Sequence, residues 1–289
     1  MDEALVRALV EVLDGGGRAA LATVVRTSGS TPRGPGARML LRADDTVLGT
    51  IGGGAVEEAV RAALAVCREG GGARLLVHEL GYDLAMCCGG RMEIFVEPIE
   101  AKPRLVVCGA GHVARAVAPL AATVGFVPTV VDEREELNTE ARFGTVTREL
   151  LDPVTYLKRA PLGPRDWVLI ATHDHALDER VLDVALAQSP RYVGLIGSKR
   201  KVFRLIERIA RRRGVPALER VYAPVGLALE AETPEEIAVS VVAELIALRR
   251  GADVPHMRAV DDPRLRKLLD EAASAPPSAS PADVSERED

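Results

Sequence analysis

The sequence is short of aromatic residues, of long apolar runs and of paired cysteines. Aromatics make up 3% of the 289 residues, so the core must be built from Val, Leu, Ile and Ala. No apolar run approaches the roughly 18 residues that a spanning helix needs, so we expect no membrane segment. The four cysteines, at 67, 87, 88 and 108, form no C-x-x-C pair, and the first residues, including Asp2 and Glu3, lack a basic signal region. We therefore expect a cytoplasmic protein with reduced thiols.

A surplus of positive charge is also absent. The formal net charge is −5, and the segment from Glu271 to Asp289 carries five acids against one arginine, so the remaining chain is nearly neutral. Because a protein that binds a polyanion needs a basic face, we do not expect nucleic acid as a partner. The one tight basic run, Arg211 to Arg213, ends a predicted helix, where it complements the helix dipole.

Length and patterning predict an α/β protein with two domains. The first 100 residues mix predicted helices with short strands and are bounded by a linker between Pro98 and Pro103. Strands and helices then alternate, which is typical of a parallel sheet with helices on both faces. We predict a smaller N-terminal α+β domain at 1–100, a C-terminal Rossmann-like parallel sheet at 103–262 and a disordered acidic Ala/Ser/Pro-rich tail at 271–289.

A dinucleotide-type turn follows the first strand of the second domain. Gly109 to Ala114 fits G-x-G-x-x-G/A, with Gly109 for the tight turn, Gly111 for close approach to a pyrophosphate, and His112 at the helix start. Asp132 lies 23 residues after Gly109 and would accept a hydrogen bond from a ribose hydroxyl, which favours NAD. Arg134 would instead suit the 2′-phosphate of NADP, and a scaffold without nucleotide is the structural alternative.

Two further turns follow predicted strands of this domain, at the sheet edge where ligands bind in open α/β folds. The first contains Thr172, His173, Asp174 and His175. It suits metal ligands, acid–base groups or a turn in which Asp174 caps the next helix. In the second, Gly197 and Ser198 would approach a ligand whose phosphates pair with Lys199 and Arg200, or Ser198 would cap a helix.

The first domain carries its own candidate site. Hydroxyls and arginines cluster from Ser28 to Arg33 and at Arg38, and a glycine loop leads into a helix; its residues include Gly52, Gly53, Gly54 and Glu57. Such a loop suits an anionic group, and tight turns around small strands are the structural alternative. Cys88 lies beside Gly89 and Gly90, where a thiolate would be accessible to a soft metal or to sulfur chemistry.

These motifs carry a resemblance to a known family. The chain resembles the xanthine dehydrogenase accessory factor (XdhC/CoxI) family along nearly its whole length, through Thr27–Arg33, Gly49–Gly54 with Glu57, Cys88–Gly90, Glu97–Pro98, Gly109–His112, Thr172–His175, Gly194–Ser198 and Ala223–Gly226 through Thr233–Ala238. Ala55 departs from the pattern, because many relatives carry cysteine there, as does Leu229–Ala231, which replaces a glycine-containing stretch.

The resemblance implies a chaperone that binds molybdenum cofactor (molybdopterin) and delivers it to an apo molybdenum hydroxylase of the xanthine or carbon monoxide dehydrogenase type. It implies that Cys88 lies near the molybdenum or its sulfur, and that the glycine loop and Arg38 hold the pterin phosphate. A cysteine desulfurase is a further candidate partner, and a homodimer would suit a carrier, although no motif specifies one. An NAD(P)-dependent oxidoreductase using His173 or His175, or a nucleotide-sensing protein, is the alternative to a chaperone without turnover.

Overall fold

The computed structural model describes residues 3–15, 17–83 and 89–274, which form two compact units. The first unit is Met1–Lys102 and the second is Pro103–Asp289. Strand pairing continues through Pro98 to Glu100, so the expected linker is strand up to that residue. Beyond Val96 this strand has a partner on one side alone, and such an edge position tolerates proline.

The first unit is an antiparallel sheet with helices. Its elements are α1 (Glu3–Asp14), β1 (Arg18–Ser28), β2 (Arg38–Leu41), β3 (Val47–Gly49), α2 (Gly54–Arg68), β4 (Arg74–Glu79), α3 (Leu80–Asp83) and β5 (Arg91–Glu100). The strand order is β3-β2-β1-β5-β4, and every pairing is antiparallel. This unit therefore has the predicted α+β character.

Each face of this sheet is covered by a helix, which explains why β1 is apolar at successive positions. Ala20 and Ala22 of β1 pack in the cluster that contains Val60 of α2. Ala19, on the opposite face of the same strand, packs with Leu5 of α1. A strand buried on both faces gains from apolar residues at every position rather than at alternate ones.

Helix α1 buries a different stripe from the one that leucine spacing predicts. Leu5, Leu9 and Leu13 recur every four residues, yet Leu13 is 48% exposed. The buried side consists of Leu5 and Ala8, with Leu9 and Val12 partly buried beside them. These four residues follow the i, i+3, i+4, i+7 pattern of a 3.6-residue repeat, from which a strict four-residue spacing drifts away.

The second unit alternates strands and helices. Its elements are β6 (Arg104–Cys108), α4 (His112–Thr123), β7 (Val127–Val131), α5 (Glu140–Phe143), β8 (Thr147–Glu149), α6 (Pro153–Arg159), β9 (Trp167–Ile170), α7 (His175–Ala187), β10 (Tyr192–Leu195), α8 (Lys199–Arg213), β11 (Val221–Tyr222), α9 (Pro234–Arg250) and α10 (Pro263–Ser274), with a 3-10 turn at Ala259–Asp261. The first four residues of the predicted tail therefore belong to α10, and residues 275–289 lie outside the described part of the chain.

The six strands form one parallel sheet in the order β8-β7-β6-β9-β10-β11. The chain moves outward from β6 to β8, then returns to the other side of β6 at β9. This reversal creates a topological switch point between β6 and β9, where the loops at the carboxyl ends of the two strands separate. Helices α4 and α9 pack on one face, and α7, α8 and α10 pack on the other.

The ends of two helices in this unit follow their sequence signals. Thr233, followed three residues later by Glu236, is the sequence pattern of a capping box and forms one at the start of α9, and Gly251 ends this helix in the left-handed conformation. Arg211, Arg212 and Arg213 end α8 as predicted, but they also form ion pairs with Glu207, Glu179 and Asp183. In the part of the chain that the structure describes, no helix is both long and apolar enough to cross a membrane.

The cap of α9 gives a direct test of this local structure. We expect Thr233→Ala to lower the free energy of unfolding by about 1 kcal/mol, because the Glu236 N–H loses its acceptor. Thr233→Ser keeps a hydroxyl and should stay close to wild type. Urea unfolding followed by the fluorescence of the single tryptophan, buried Trp167, measures both variants. Equal losses in the two variants would contradict the role of the cap.

Candidate functional site

The glycine loop of the first unit is organised around a carboxylate. Oε1 of Glu57 accepts hydrogen bonds from the Thr50 hydroxyl and from the N–H groups of Ile51 (3.1 Å), Gly52 (3.3 Å) and Gly53 (2.8 Å). The backbone curls around this oxygen through positive φ angles of 135° at Gly52 and 77° at Gly53. Residues other than glycine rarely adopt such φ angles, which explains why glycine occupies both positions.

These hydrogen bonds keep Glu57 ionised. Burial raises the pKa of its carboxyl, but the bonds from Thr50, Gly53, Ile51 and Gly52 outweigh burial, and the pKa lies below its ordinary value. The loop is thus the anion cradle that its glycines predict, and the anion that it holds is the chain's own carboxylate. Any ligand that used the same N–H groups would have to displace Glu57.

A cavity lies next to Gly49 and Thr50, at the start of this loop. It encloses about 600 Å³, including its opening to solvent, and its lining residues are Leu5, Arg33, Gly36, Ala37, Arg38, Gly49 and Thr50. Arg33 is exposed and Arg38 is half-buried. Neither guanidinium forms an ion pair with a side chain that the structure describes. Gly52, Gly53, Gly54 and Glu57 are not among its lining residues.

Two predicted motifs of the first unit, at Gly90 and at Gly52, approach the loop from Ser28 to Arg33. A Cβ on Gly90 would lie 2.3 Å from the Ser30 carbonyl oxygen, and one on Gly52 would lie 2.4 Å from Cγ of Pro32. Both glycines therefore permit a close approach to this loop. Cys88, two residues before Gly90, and its neighbour Cys87 lie outside the described residues, so the predicted role of Cys88 stays a prediction.

In the second unit, the two glycines of the Rossmann turn differ in their surroundings. Gly109 has a φ of 114°, and a Cβ there would lie 2.3 Å from the Ala171 carbonyl oxygen at the end of β9. Gly111 has a φ of −69°, and an added Cβ would meet no atom within 4 Å. The packing requires glycine at 109 only. At 111, glycine leaves open space at the start of α4.

Asp132 is held by its own chain. Its Oδ2 accepts the Ala110 N–H at 2.7 Å and Nη2 of Arg134 at 2.6 Å. Its Oδ1 accepts both the backbone N–H and Nε of Arg134, each at 2.9 Å. Burial raises the pKa of Asp132, but these bonds from Arg134 and Ala110 outweigh burial and lower the pKa overall. The predicted acceptor for a ribose hydroxyl thus already binds four donors.

The turn after β9 is fixed by two acids. Asp174 accepts the Leu177 N–H at 3.0 Å and caps α7, as one of the alternatives for this segment predicts. The buried Asp178 accepts the N–H (3.2 Å) and the hydroxyl (2.7 Å) of Thr172. His173 and His175 are exposed, and the described residues contain no group of three or more His, Cys, Asp or Glu side chains that could hold a metal.

Lys201 explains the glycine in the turn after β10. Its Nζ donates to Asp178 and, at 2.8 Å, to the Ile196 carbonyl oxygen. A Cβ on Gly197 would lie 2.5 Å from Cδ of Lys201, so this glycine makes room for the lysine stem. Ser198 accepts the Lys201 N–H at 3.3 Å and caps α8, as the structural alternative predicts.

Sequence patterns did not identify Asp178 or Lys201. Each lies in the first turn of a helix, where a single charged residue looks like part of a solvated face. Their partnership joins two turns that are 23 positions apart in sequence. A lysine four residues after a turn glycine only weakly indicates a functional residue, and this spacing does not identify Asp178 as its partner.

The predicted residues of the second unit come together only in part. A narrow crevice at the carboxyl ends of β6, β7 and β9 is lined by Gly109, Asp132, Glu133, Pro153, Thr172, His173 and Leu177. Four of the predicted site residues, Gly109, Asp132, Thr172 and His173, thus share one surface. Gly197 and Ser198 are not among its lining residues.

Two family models match these two units. The model of the XdhC and CoxI family matches residues 12–80, and that of the XdhC Rossmann domain matches residues 105–245. The chain belongs to the XdhC and CoxI family. The first match contains the glycine loop and Glu57, and the second contains the Rossmann turn, Asp132 and the Asp178–Lys201 pair.

Two curated relatives fit this membership. The uncharacterized protein YqeB of Escherichia coli (strain K12) is 40% identical over 247 residues, which cover 81% of this chain and 44% of YqeB. A probable xanthine dehydrogenase subunit of Bacillus subtilis (strain 168) is 37% identical over 162 residues, 56% of this chain and 47% of that protein. The chain therefore spans less than half the length of these two relatives.

Two other likenesses cover most of the chain. The molybdenum cofactor insertion chaperone PaoD of Escherichia coli (strain K12) is 25% identical over 280 residues, which cover 85% of this chain and 88% of PaoD. The crystal structure of a xanthine dehydrogenase from Bacillus halodurans aligns with a TM-score of 0.49 and 22% identity, covering 90% of this chain and 98% of that one.

The unequal surroundings of the two XdhC Rossmann glycines predict unequal mutational effects. We expect Gly109→Ala to lower the free energy of unfolding by roughly 3 kcal/mol, because it combines a strained φ with a backbone clash. Gly111→Ala is the matched control and should cost about 1 kcal/mol or less, the loss of a glycine N-cap. Urea unfolding monitored at Trp167 compares them. Comparable losses of stability in the two variants would show that Gly109 does not pack tightly against Ala171.

Glu57 predicts a dependence of stability on pH. Because its folded pKa is depressed, its contribution is fully present above the ordinary value of 4.5 and is lost as the pH falls through the lower folded pKa. Glu57→Gln should be about 1 kcal/mol less stable than wild type at neutral pH, and the gap should narrow in acid. The neighbouring Glu58, whose side chain is exposed, provides the control Glu58→Gln. Circular dichroism during urea unfolding at several pH values measures this, and a gap independent of pH would contradict it.

Proposed function

We propose that this chain binds molybdenum cofactor and assists its insertion into a molybdenum hydroxylase of the xanthine dehydrogenase or carbon monoxide dehydrogenase type. The observation that carries the proposal is the cavity of the first unit, where Arg33 and Arg38 lie beside Gly49 and Thr50 and form no ion pair among the residues that the structure describes. Membership of the XdhC and CoxI family supports it, as do the likenesses to the Bacillus subtilis xanthine dehydrogenase protein and to PaoD.

The phosphate of molybdopterin is the group that this cavity would recognise. A guanidinium presents several N–H donors in a planar fork, which matches phosphate oxygens and forms strong charge-assisted hydrogen bonds. Two such groups, neither of which pairs with a carboxylate of the described part of the chain, favour a dianion over a neutral ligand. In this proposal Arg38, which is half-buried, is the principal contact, and Arg33 at the more exposed position adds to it.

The glycine loop then acts as the wall of the site. Because Glu57 occupies the N–H groups of Ile51, Gly52 and Gly53, the loop holds its shape before cargo arrives. A preformed wall reduces the ordering that binding would otherwise require. The cargo phosphate would lie against Gly49 and Thr50, the two loop residues that line the cavity.

Cys88 is our candidate for the contact with the molybdenum centre of the cargo. A thiolate is a soft ligand and suits both molybdenum and its sulfur. The chain joins Cys88 to Gly90, which packs against the Ser28–Arg33 loop that carries Arg33. Ala55 in the glycine loop has no thiol, so a second sulfur ligand from that loop is not available in this chain.

Delivery requires a client, and an apo molybdenum hydroxylase is the partner that we propose. A cysteine desulfurase as sulfur source and a homodimeric carrier are further parts of the same proposal. The oxidoreductase alternative has less support. Its proton-transfer candidates, His173 and His175, are exposed, and its ribose acceptor Asp132 is saturated by Arg134 and Ala110.

The arginines provide the first test. We expect Arg38→Ala to weaken molybdopterin binding by about tenfold or more, because a charge-assisted contact with phosphate is lost. Arg7→Ala, in the same unit with a side chain 71% exposed, is the control and should bind as wild type does. The measurement is pterin retained after gel filtration, quantified by fluorescence. Equal retention by Arg38→Ala and wild type would refute this site.

The same experiment tests Cys88 through the molybdenum content of the purified variants. Cys88→Ala should retain pterin through Arg33 and Arg38 but lose most of the molybdenum that copurifies with wild type. Cys87→Ala is the adjacent control and should keep it. If both cysteine variants retain molybdenum at the wild-type level, the proposed contact is wrong, whereas the phosphate site is judged by the arginine variants alone.

A further inference from the structure

The sheet face that carries Arg38 extends beyond the cavity of the first unit. Directly paired residues of neighbouring antiparallel strands lie on one face of a sheet. Arg38 of β2 pairs with Thr23 of β1, which in turn pairs with Phe95 of β5. Because neighbouring strands lie about 4.8 Å apart, the backbone of Phe95 is about 10 Å from that of Arg38 across the sheet. One row of the sheet thus joins a cation of the cavity to an aromatic ring.

Phe95 lies outside the packed core of the first unit. Its neighbours along β5, Ile94 and Val96, point to the opposite face and are fully buried in the cluster with α2. Phe95 itself is half-buried and belongs to neither of the clusters that α1 and α2 form with the sheet. Its partner on β4, Leu75, is 53% exposed. An aromatic ring and an exposed leucine thus form an apolar surface on the same face as Arg38.

Glu97 adds a carboxylate to this face. It lies two residues after Phe95 on β5, and alternate residues of a strand share a face. Glu93, two residues before Phe95, is paired with Arg26 and Arg91. The half-buried side chain of Glu97 forms no ion pair and no side-chain hydrogen bond with the part of the chain that the structure describes. The sequence motif to which Glu97 belongs has no role in the function proposed above.

These three side chains match the functional groups of a pterin phosphate. The planar pyrimidine ring of a pterin can stack on an aromatic side chain such as that of Phe95. The 2-amino group and the N3–H of this ring form two parallel donors, as a guanidinium does, and a carboxylate accepts both in a bidentate contact. The phosphate is joined to the ring system through a short carbon linker, which suits the separation of Arg38 from Phe95 and Glu97.

We propose that the pterin ring of the cargo stacks on Phe95 and that Glu97 binds its amino edge, while Arg38 holds the phosphate. This inference rests on the function proposed above, because it assigns the ring of the same cargo. A lumazine carries a carbonyl in place of the 2-amino group, and this oxygen would face the Glu97 carboxylate without a hydrogen between them. The site therefore selects pterins over lumazines.

The test is fluorescence titration of the full chain with neopterin monophosphate and with its 2-deaminated lumazine counterpart. Wild type should bind the pterin about tenfold more tightly than the lumazine, because one charge-assisted contact is at stake. Glu97→Gln should remove this preference, since its amide accepts through one oxygen and can donate to the lumazine carbonyl. Glu100→Gln, on the opposite face of the same strand, is the control and should match wild type.

Phe95→Leu separates stacking from recognition of the amino edge. It keeps an apolar side chain but removes the aromatic face, so binding of both ring compounds should weaken several-fold while the preference for the pterin stays. Calorimetric titration with inorganic phosphate tests the cavity alone. Glu97→Gln and Phe95→Leu should bind phosphate as wild type does, whereas Arg38→Ala should bind it more weakly.

The outcomes for the ring and for the phosphate are separable. If Glu97→Gln does not fold, as measured by circular dichroism, Glu97→Asp withdraws the carboxylate by one methylene and should lower the preference several-fold. No preference in wild type, an unchanged preference in the folded Glu97 variant, or unchanged pterin affinity in Phe95→Leu would overturn the inference. These results leave the proposed function standing if Arg38→Ala loses molybdopterin. Equal retention of molybdopterin by Arg38→Ala and wild type would instead refute the phosphate site itself.

Discussion

A carboxylate that accepts the backbone N–H groups of a glycine turn is the interaction on which both units depend. In the first unit, Glu57 gathers three N–H groups of the loop before α2. In the second, Asp132 binds the N–H of Ala110 between the two Rossmann glycines. N–H groups in such turns need acceptors when water is excluded, and a carboxylate supplied by the chain satisfies them without a ligand.

Hydrogen bonds between these turns and the chain's own carboxylates limit which groups are available to a ligand. The loop N–H groups of the first unit are held by Glu57, whereas Arg33 and Arg38 line the neighbouring cavity and form no ion pair with a side chain that the structure describes. The second unit cannot offer Asp132 while Arg134 is bound to it. In the proposed function, cargo binding by the first unit depends on side-chain cations, because the backbone donors of its glycine loop are already taken.

The central strands of the parallel sheet were predictable because they are short and mainly apolar, as in Trp167–Ile170. The sequence pattern predicts strands at 127–131, 167–171 and 192–196; the first coincides with β7, and β9 and β10 each end one residue before the predicted end. The strand Thr147–Glu149 escaped prediction because it is polar and pairs at the sheet edge. Its conformation comes from its ladder with β7, which is a tertiary contact without a local signal.

The sequence by itself determined the family, the two-part organisation of its motifs, the Rossmann turn and the caps at Asp174, Ser198 and Thr233, because these depend on residues within a few positions of one another. Only the tertiary structure decided which polar groups are free. Whether Asp132, Glu57 or Lys201 faces a ligand or a neighbour depends on side chains brought together from different turns. Hydrogen bonds have short range and fixed direction, so their partners are set by the folded arrangement and leave no periodic trace in the sequence.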